Sequence, residues 1–283
     1  VSQTTDAAAL ADYLRARQLY RSGTKDSLAE ASVLLERVVA VDDQYGPAWR
    51  LLAQTDGSRA WVGFLPLHEG FAKARAAIQR AIDIDPSDAA AIALLANLSR
   101  SYDMNLPESA RLLKRALSLS PHDETVLSAA ANLTLATGDG PRTIAIREEL
   151  VRLDPVNGGA WSDLGFAYTI FGRYADAIAA YRKSLELEPD AVFTHEILGE
   201  AMLLSGDHDG ALAEMQREPH DTMRHVGTAF AYAALGRREE AQRLLEEVGR
   251  EHPDFSSPVA AGYARLGMAD EAFEWLDRVE DAV

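Results

Sequence analysis

The chain has 283 residues, about two domains' worth at roughly 100–200 residues each unless one architecture repeats. Hydrophobic residues make up 47% and charged residues 25%, which sets aside disordered and fibrous classes, and the lack of any Cys removes disulfides, thiolate catalysis and cysteine metal sites. The net charge of −16 is uneven: residues 1–150 hold 16 basic and 19 acidic groups, residues 151–283 hold 12 and 25, and this excess of acid argues against a nucleic-acid partner.

Prolines recur at Pro86, Pro121, Pro155 and Pro189, spaced 35, 34 and 34 apart, and Pro253 follows 64 later, close to two more periods. Proline cannot continue a helix, so each of these predicts a helix end and a change of direction. The predicted helix pairs, in chain order, begin with residues 10–43, where Ala31 is the small residue of the second helix. The next pair, 46–86, opens on Trp49 and reaches its small residue, Ala74, 25 positions later, where the central pair needs 16. The nine surplus residues centre on Trp61, Val62, Gly63, Phe64, Leu65, Pro66 and Leu67, too apolar for a floppy loop. They predict longer helices or a segment packed on the neighbouring repeats, with self-association through Trp61, Phe64 and Leu65 as the alternative.

The third pair, 89–121, contains the longest uncharged apolar run, Ala89–Ala96, far short of the roughly 18 residues that cross a bilayer, so no transmembrane helix is expected. The fourth, 124–155, turns at Gly138, and the fifth, 158–191, is the most regular. In the sixth, 192–221, Pro219 arrives four residues early, which predicts a shortened second helix and a local bend in the stack. The seventh covers 222–255, and a partial eighth, 256–283, ends without an evident polar cap. The chain opens at Val1 with no Met and no leader pattern, which reads as a processed or excised segment. Its compartment stays open between cytoplasm and periplasm.

In the fifth pair Trp161, Leu164 and Tyr168 fall at i, i+3 and i+7 on one helix, and Ala177 and Tyr181 at i, i+4 face them from the next. Gly165 and Ala177 are small where two helices approach, and Gly172 supplies a left-handed turn. The string Trp161-x-x-Leu164-Gly165-x-x-Tyr168, Ala177-x-x-x-Tyr181 and Pro189 resembles the tetratricopeptide repeat, with Tyr181 in place of the usual Phe. The resemblance extends over the other pairs more loosely and implies an all-α fold: one right-handed superhelical solenoid of stacked antiparallel helix pairs over residues 1–283.

Catalytic motifs are missing. Ser22-x-x-Lys25 lies in a predicted turn without the companion elements of serine-dependent penicillin-binding enzymes, and no nucleophile elbow or phosphate-binding glycine loop occurs. The seven His are scattered, His220 and His225 being five apart and off one helical face, so no metal or cofactor is expected. Asp207-His208-Asp209-Gly210 reads as an acidic helix start, not a calcium loop.

What the resemblance implies instead is a concave groove lined by the first helices, which binds an extended polypeptide without catalysing a reaction. The family's groove positions project onto Arg50, Gln54, Asn97, Arg100, Ser128, Asn132, Ser162, Phe166, Phe193, Glu196, Glu200, Met223 and Phe230. Gln54, Asn97 and Asn132 share one position in three repeats, an amide ladder suited to a ligand's main chain. Phe166, Phe193 and Phe230 beside Glu196 and Glu200 favour an apolar, basic segment. Arg50 and Arg100 alone do not complete the carboxylate clamp of chaperone-tail binders, which also needs Lys and Asn. The N-terminal stretch, the long second repeat and the last repeat also resemble, less specifically, the helical-repeat arm of bacterial signalling proteins fused to a winged-helix regulator or cyclase. A substrate-positioning or assembly subunit, with its chemistry elsewhere, is the rival class.

Overall fold

Five helices end two residues before the periodic prolines, as the loss of an N–H donor and the ring's clash with the preceding turn require. The computed structural model describes residues 4 and 6–280, and these form sixteen α-helices, one 3-10 turn at Pro253–Phe255 and no strand. They divide into two compact units at Ile146 and Arg147. The first holds α1 (Ala7–Ser22), α2 (Lys25–Val41), α3 (Gly46–Trp61), α4 (Leu67–Ile84), α5 (Ala89–Ser101), α6 (Leu106–Leu119), α7 (Glu124–Ala136) and the start of α8 (Gly140–Leu153). The second holds the rest of α8 with α9 (Gly158–Ile170), α10 (Tyr174–Leu187), α11 (Thr194–Ser205), α12 (His208–Met215), α13 (Asp221–Ala234), α14 (Arg238–Glu251), α15 (Ser256–Arg265) and α16 (Ala269–Glu280).

Helix starts are capped by short polar side chains. Asp88, Asn105, Asp123, Asn157 and Asp207 each accept a hydrogen bond from an N–H of the first turn of α5, α6, α7, α9 and α12. Consecutive helices pack in pairs, and first helices also stack on one another, α5 on α7 in the first unit and α11 on α13 on α15 in the second. The second-helix small positions Ala31, Ala177, Ala211 and Ala241 are fully buried, which lets helices approach to close-packed distance. At Gly165 an added Cβ would lie 2.8 Å from the Tyr181 ring, and Gly172, at φ +74°, takes the left-handed turn after α9. Trp161 donates its indole N–H to the carbonyl of Pro155 at 3.0 Å, and Trp49 does the same to Asp43 at 2.9 Å, one device used in both units.

Two departures from the period have visible causes. Against the central pair of 13 and 14 residues, α3 and α4 run to 16 and 18, and the turn between them is two residues longer, which accounts for the nine-residue surplus. The lengthening is as expected, but the packing of its tip is not. Trp61 is 70% exposed, and Val62, Phe64 and Leu67 are also exposed; only Leu65 is half-buried. The following pair, α5 and α6, has only 13 and 14 residues and ends before it could cover them. In the second unit, α12 has eight residues and stops at Met215, ahead of Pro219, as the early proline predicts.

Candidate functional site

The second unit gathers charge on α11. That helix has no side-chain cap of its own: its leading residue is Phe193, in the left-handed conformation at φ +68°. The cap comes from Glu218, just beyond the truncated α12. Its carboxylate accepts hydrogen bonds from the backbone N–H groups of Phe193 at 2.9 Å, Glu196 at 3.4 Å and His220 at 3.1 Å, while the residue is only 1% exposed. Had α12 run the usual 14 residues, Glu218 would be locked into its last turn; the early stop frees it to neutralise the positive end of α11.

Glu196 follows in the first turn of α11, 6% exposed, and no described residue donates a hydrogen bond to its carboxyl. Burial, then the nearby carboxylates of Glu200 and Glu218, push its pKa up to about 8, against the opposing pull of Arg265. One turn further, Glu200 forms an ion pair with Arg265, the last residue of α15. The Arg265 guanidinium lies over the ring of Phe230 on α13, 4.3 Å from its centroid. Tyr181, buried on α10, has its hydroxyl pKa pushed up to about 12, by burial first and by the fields of Glu200 and Glu196 among lesser causes. First helices α11, α13 and α15 thus bring two carboxyls, an aromatic ring and a guanidinium together.

Two of the projected groove residues are buried. Phe230 is 6% exposed and roofed by Arg265. Glu196 is 6% exposed, and its backbone N–H donates to Glu218 at 3.4 Å. Phe166 on α9 and Phe193 are exposed. His195, the large first-helix residue here, is buried against Glu214 of α12, 2.9 Å away.

In the first unit the amides behave as a pair. Asn132 on α7 donates to Asn97 on α5 at 3.2 Å, and Arg100 lies 3.5 Å from the same Asn97 oxygen. Gln54 on α3 is half-buried and not hydrogen-bonded to either. Arg50 is engaged in structure: it pairs at 3.2 Å with Asp88, the cap of α5.

Sequence reasoning missed Glu218 and Arg265, whose roles depend on reaches of 25 and 65 positions; the early Pro219 was the only signal for the first. It also missed a polar cleft of about 490 Å³ between α13 and α14, lined by Arg224, His225, Tyr232 and Glu240 among others. Among the described residues no group of three or more His, Asp or Glu is disposed to hold a metal ion, and no helix is long and apolar enough to cross a membrane.

The sequence model of the tetratricopeptide repeat matches residues 158–191. Tetratricopeptide repeat protein 37 of Xenopus laevis is 25% identical over 150 residues, and the match takes in 51% of this chain but 9% of that protein. The small glutamine-rich tetratricopeptide repeat-containing protein 2 of Mycosarcoma maydis is 30% identical over 91 residues, 32% of this chain and 25% of that protein. Among solved structures, the human IFIT1 dimer with m7Gppp-AAAA superposes with a TM-score of 0.65 at 17% identity, over 97% of this chain and 72% of that one. Yeast Tom70 gives 0.60 at 15% identity, over 100% and 62%. A tetratricopeptide repeat protein from Parabacteroides merdae gives 0.60 at 18%, over 81% and 92%. The likeness to these structures is one of fold, and within that fold residues 158–191 match the tetratricopeptide repeat, with the same helix pairing in both units.

Proposed function

We propose that this chain is a non-catalytic scaffold whose first helices dock an extended polypeptide, with the second unit taking a basic segment. The observation that carries the reading is Glu200, partly exposed on α11 and linked through Arg265 to Phe230, in the half of the sequence with 25 acidic and 12 basic residues. Such a surface attracts cationic side chains and repels phosphate. That opposes a ligand like the m7Gppp-AAAA in the IFIT1 structure and supports a peptide. In the first unit, Asn97 and Asn132, with Gln54 near the same helix position, offer amides to a main chain, which any sequence can satisfy. Arg50 belongs to the scaffold through Asp88; Phe166 offers an exposed ring to an apolar side chain. In the cell, the scaffold acts as a docking or sensory arm of a bacterial signalling protein, which is what the resemblance of its end repeats implies.

Peptide-array selection followed by titration calorimetry on the whole chain tests this. Replacing Asn97 and Asn132 together by Ala should weaken the selected peptide about fivefold, and replacing Glu196 and Glu200 by Gln about tenfold. Added salt should weaken the second contact more than the first. A peptide whose affinity ignores all four substitutions would place docking on another face.

A further inference from the structure

Arg265 is held by groups that a ligand's arginine would use. It reaches from the end of α15 to Glu200 on α11, 65 positions away in sequence, and covers Phe230 on α13 as it does so. Both members of the ion pair keep about a third of their side-chain surface in water, 35% for Arg265 and 34% for Glu200. A pair so exposed is weakly held and readily exchanged. One turn before Glu200, Glu196 is nine-tenths buried within the field of both members of the pair. Arg265 reaches Glu200 through one guanidinium nitrogen, while it acts on Glu196 through its charge.

A guanidinium has five N–H donors in a plane, enough to bridge two carboxyls one helical turn apart while stacking on an aromatic face. A lysine ammonium, a compact and strongly hydrated charge, stacks less well and bridges less rigidly. We propose that Arg265 is a built-in stand-in for an arginine of the partner polypeptide, which displaces it from Phe230 and Glu200 and also engages Glu196. This rests on the reading of the second unit as a docking site for a basic segment. Arg265 then serves as a filter, since neutral and apolar side chains cannot replace it at Glu200 without leaving that carboxylate unpaired.

The displacement carries a proton. Glu196 faces Glu200 on its own helix, Glu218 beyond α12, Tyr181 on α10 and Arg265 on α15; burial first, then Glu200 and Glu218, keep it protonated at neutral pH against the pull of Arg265. A second-site guanidinium favours the ionised form, so binding releases a proton to buffer below about pH 8 and strengthens as pH rises toward that value.

The test uses the whole chain and three randomised nonamer pools with Arg, Lys or citrulline fixed at the centre. The wild type should bind the Arg pool most tightly and citrulline least. Arg265→Ala removes the competitor, so it should bind the Arg pool up to about tenfold more tightly with little change for citrulline. Adding Glu196→Gln should cancel the gain. In the wild type, the side-chain NMR signals of Arg265, shifted by the Phe230 ring, should move toward free-arginine values as the Arg pool is added, a readout that needs no variant to fold. Equal binding of Arg and citrulline pools, or binding with the Arg265 signals unmoved, overturns this inference and leaves the docking reading standing. No binding by any pool removes both.

Discussion

The carboxylate of Glu218 accepts a hydrogen bond from the backbone N–H of Phe193 at 2.9 Å, so the start of α11 is closed by a residue 25 positions downstream. In a stack whose other helices are mostly capped from the adjoining residue, this joins the two ends of one repeat. It also brings a buried carboxylate close to Glu196, which adds to the effect of burial and of Glu200 in raising its pKa.

Glu218→Ala should leave three N–H groups, that of Glu196 buried, without their acceptor. We expect a loss of about 2–3 kcal/mol in urea unfolding, and faster amide exchange over residues 193–197 than elsewhere in α11. Glu218→Gln, which keeps one acceptor oxygen, should recover part of the loss. A stability unchanged by Glu218→Ala would show the cap to be dispensable.

Glu196 makes stability depend on pH. Its pKa is raised in the fold to about 8 from an ordinary 4.5, so between those values the folded chain holds a proton that the unfolded chain has lost. This stabilising contribution is complete below the unfolded value and declines as pH rises to about 8. Urea midpoints measured from pH 5 to pH 9 should therefore fall less steeply in Glu196→Gln, and the variant should exceed the wild type at pH 8. Parallel curves would contradict the shift.

Gly165→Ala drives a methyl to 2.8 Å from the Tyr181 ring, which is fully enclosed and cannot retreat. A loss of about 1–3 kcal/mol is expected by thermal or urea unfolding, larger than the small gain in helix propensity. If the variant is as stable as the wild type, α9 and α10 have room that the structure does not show.

Trp61→Ala with Phe64→Ala removes two exposed rings at the end of a long hairpin, Trp61 being 70% exposed. Stability should change by less than about 1 kcal/mol, and Trp61 should emit at the red-shifted wavelength of a hydrated indole. Sedimentation of the same pair of proteins gives the contribution of this surface to self-association: a smaller mass for the variant supports it, an equal mass opposes it.

The helical pairs were legible because each repeat writes its packing into local spacing. Trp161, Gly165, Ala177 and Tyr181 lie within 21 residues, and the structure buries Gly165, Ala177 and Tyr181 against one another as their sizes demand. The same rule could not show what lies over Glu196, Glu200 and Phe230. Coverage comes from Arg265 and Glu218, whose contacts cross whole helices and leave no period in the sequence. Apolar character misled at Trp61: hydrophobic residues are found outside as well as inside, and whether a neighbour is long enough to cover them depends on helix lengths.

The reach of Glu218 also orders events during synthesis. A nascent chain that has released residues up to Met215 contains both helices of this repeat, α11 and α12, yet lacks the acceptor for the first amides of α11. Only when the next three residues emerge can that end close, and Pro219 follows immediately to hold the carboxylate outside a helix. Where neighbouring repeats can settle turn by turn as they appear, this one settles from its tail, so a ribosome pausing before residue 218 would hold the chain with α11 frayed and a pause after it would not.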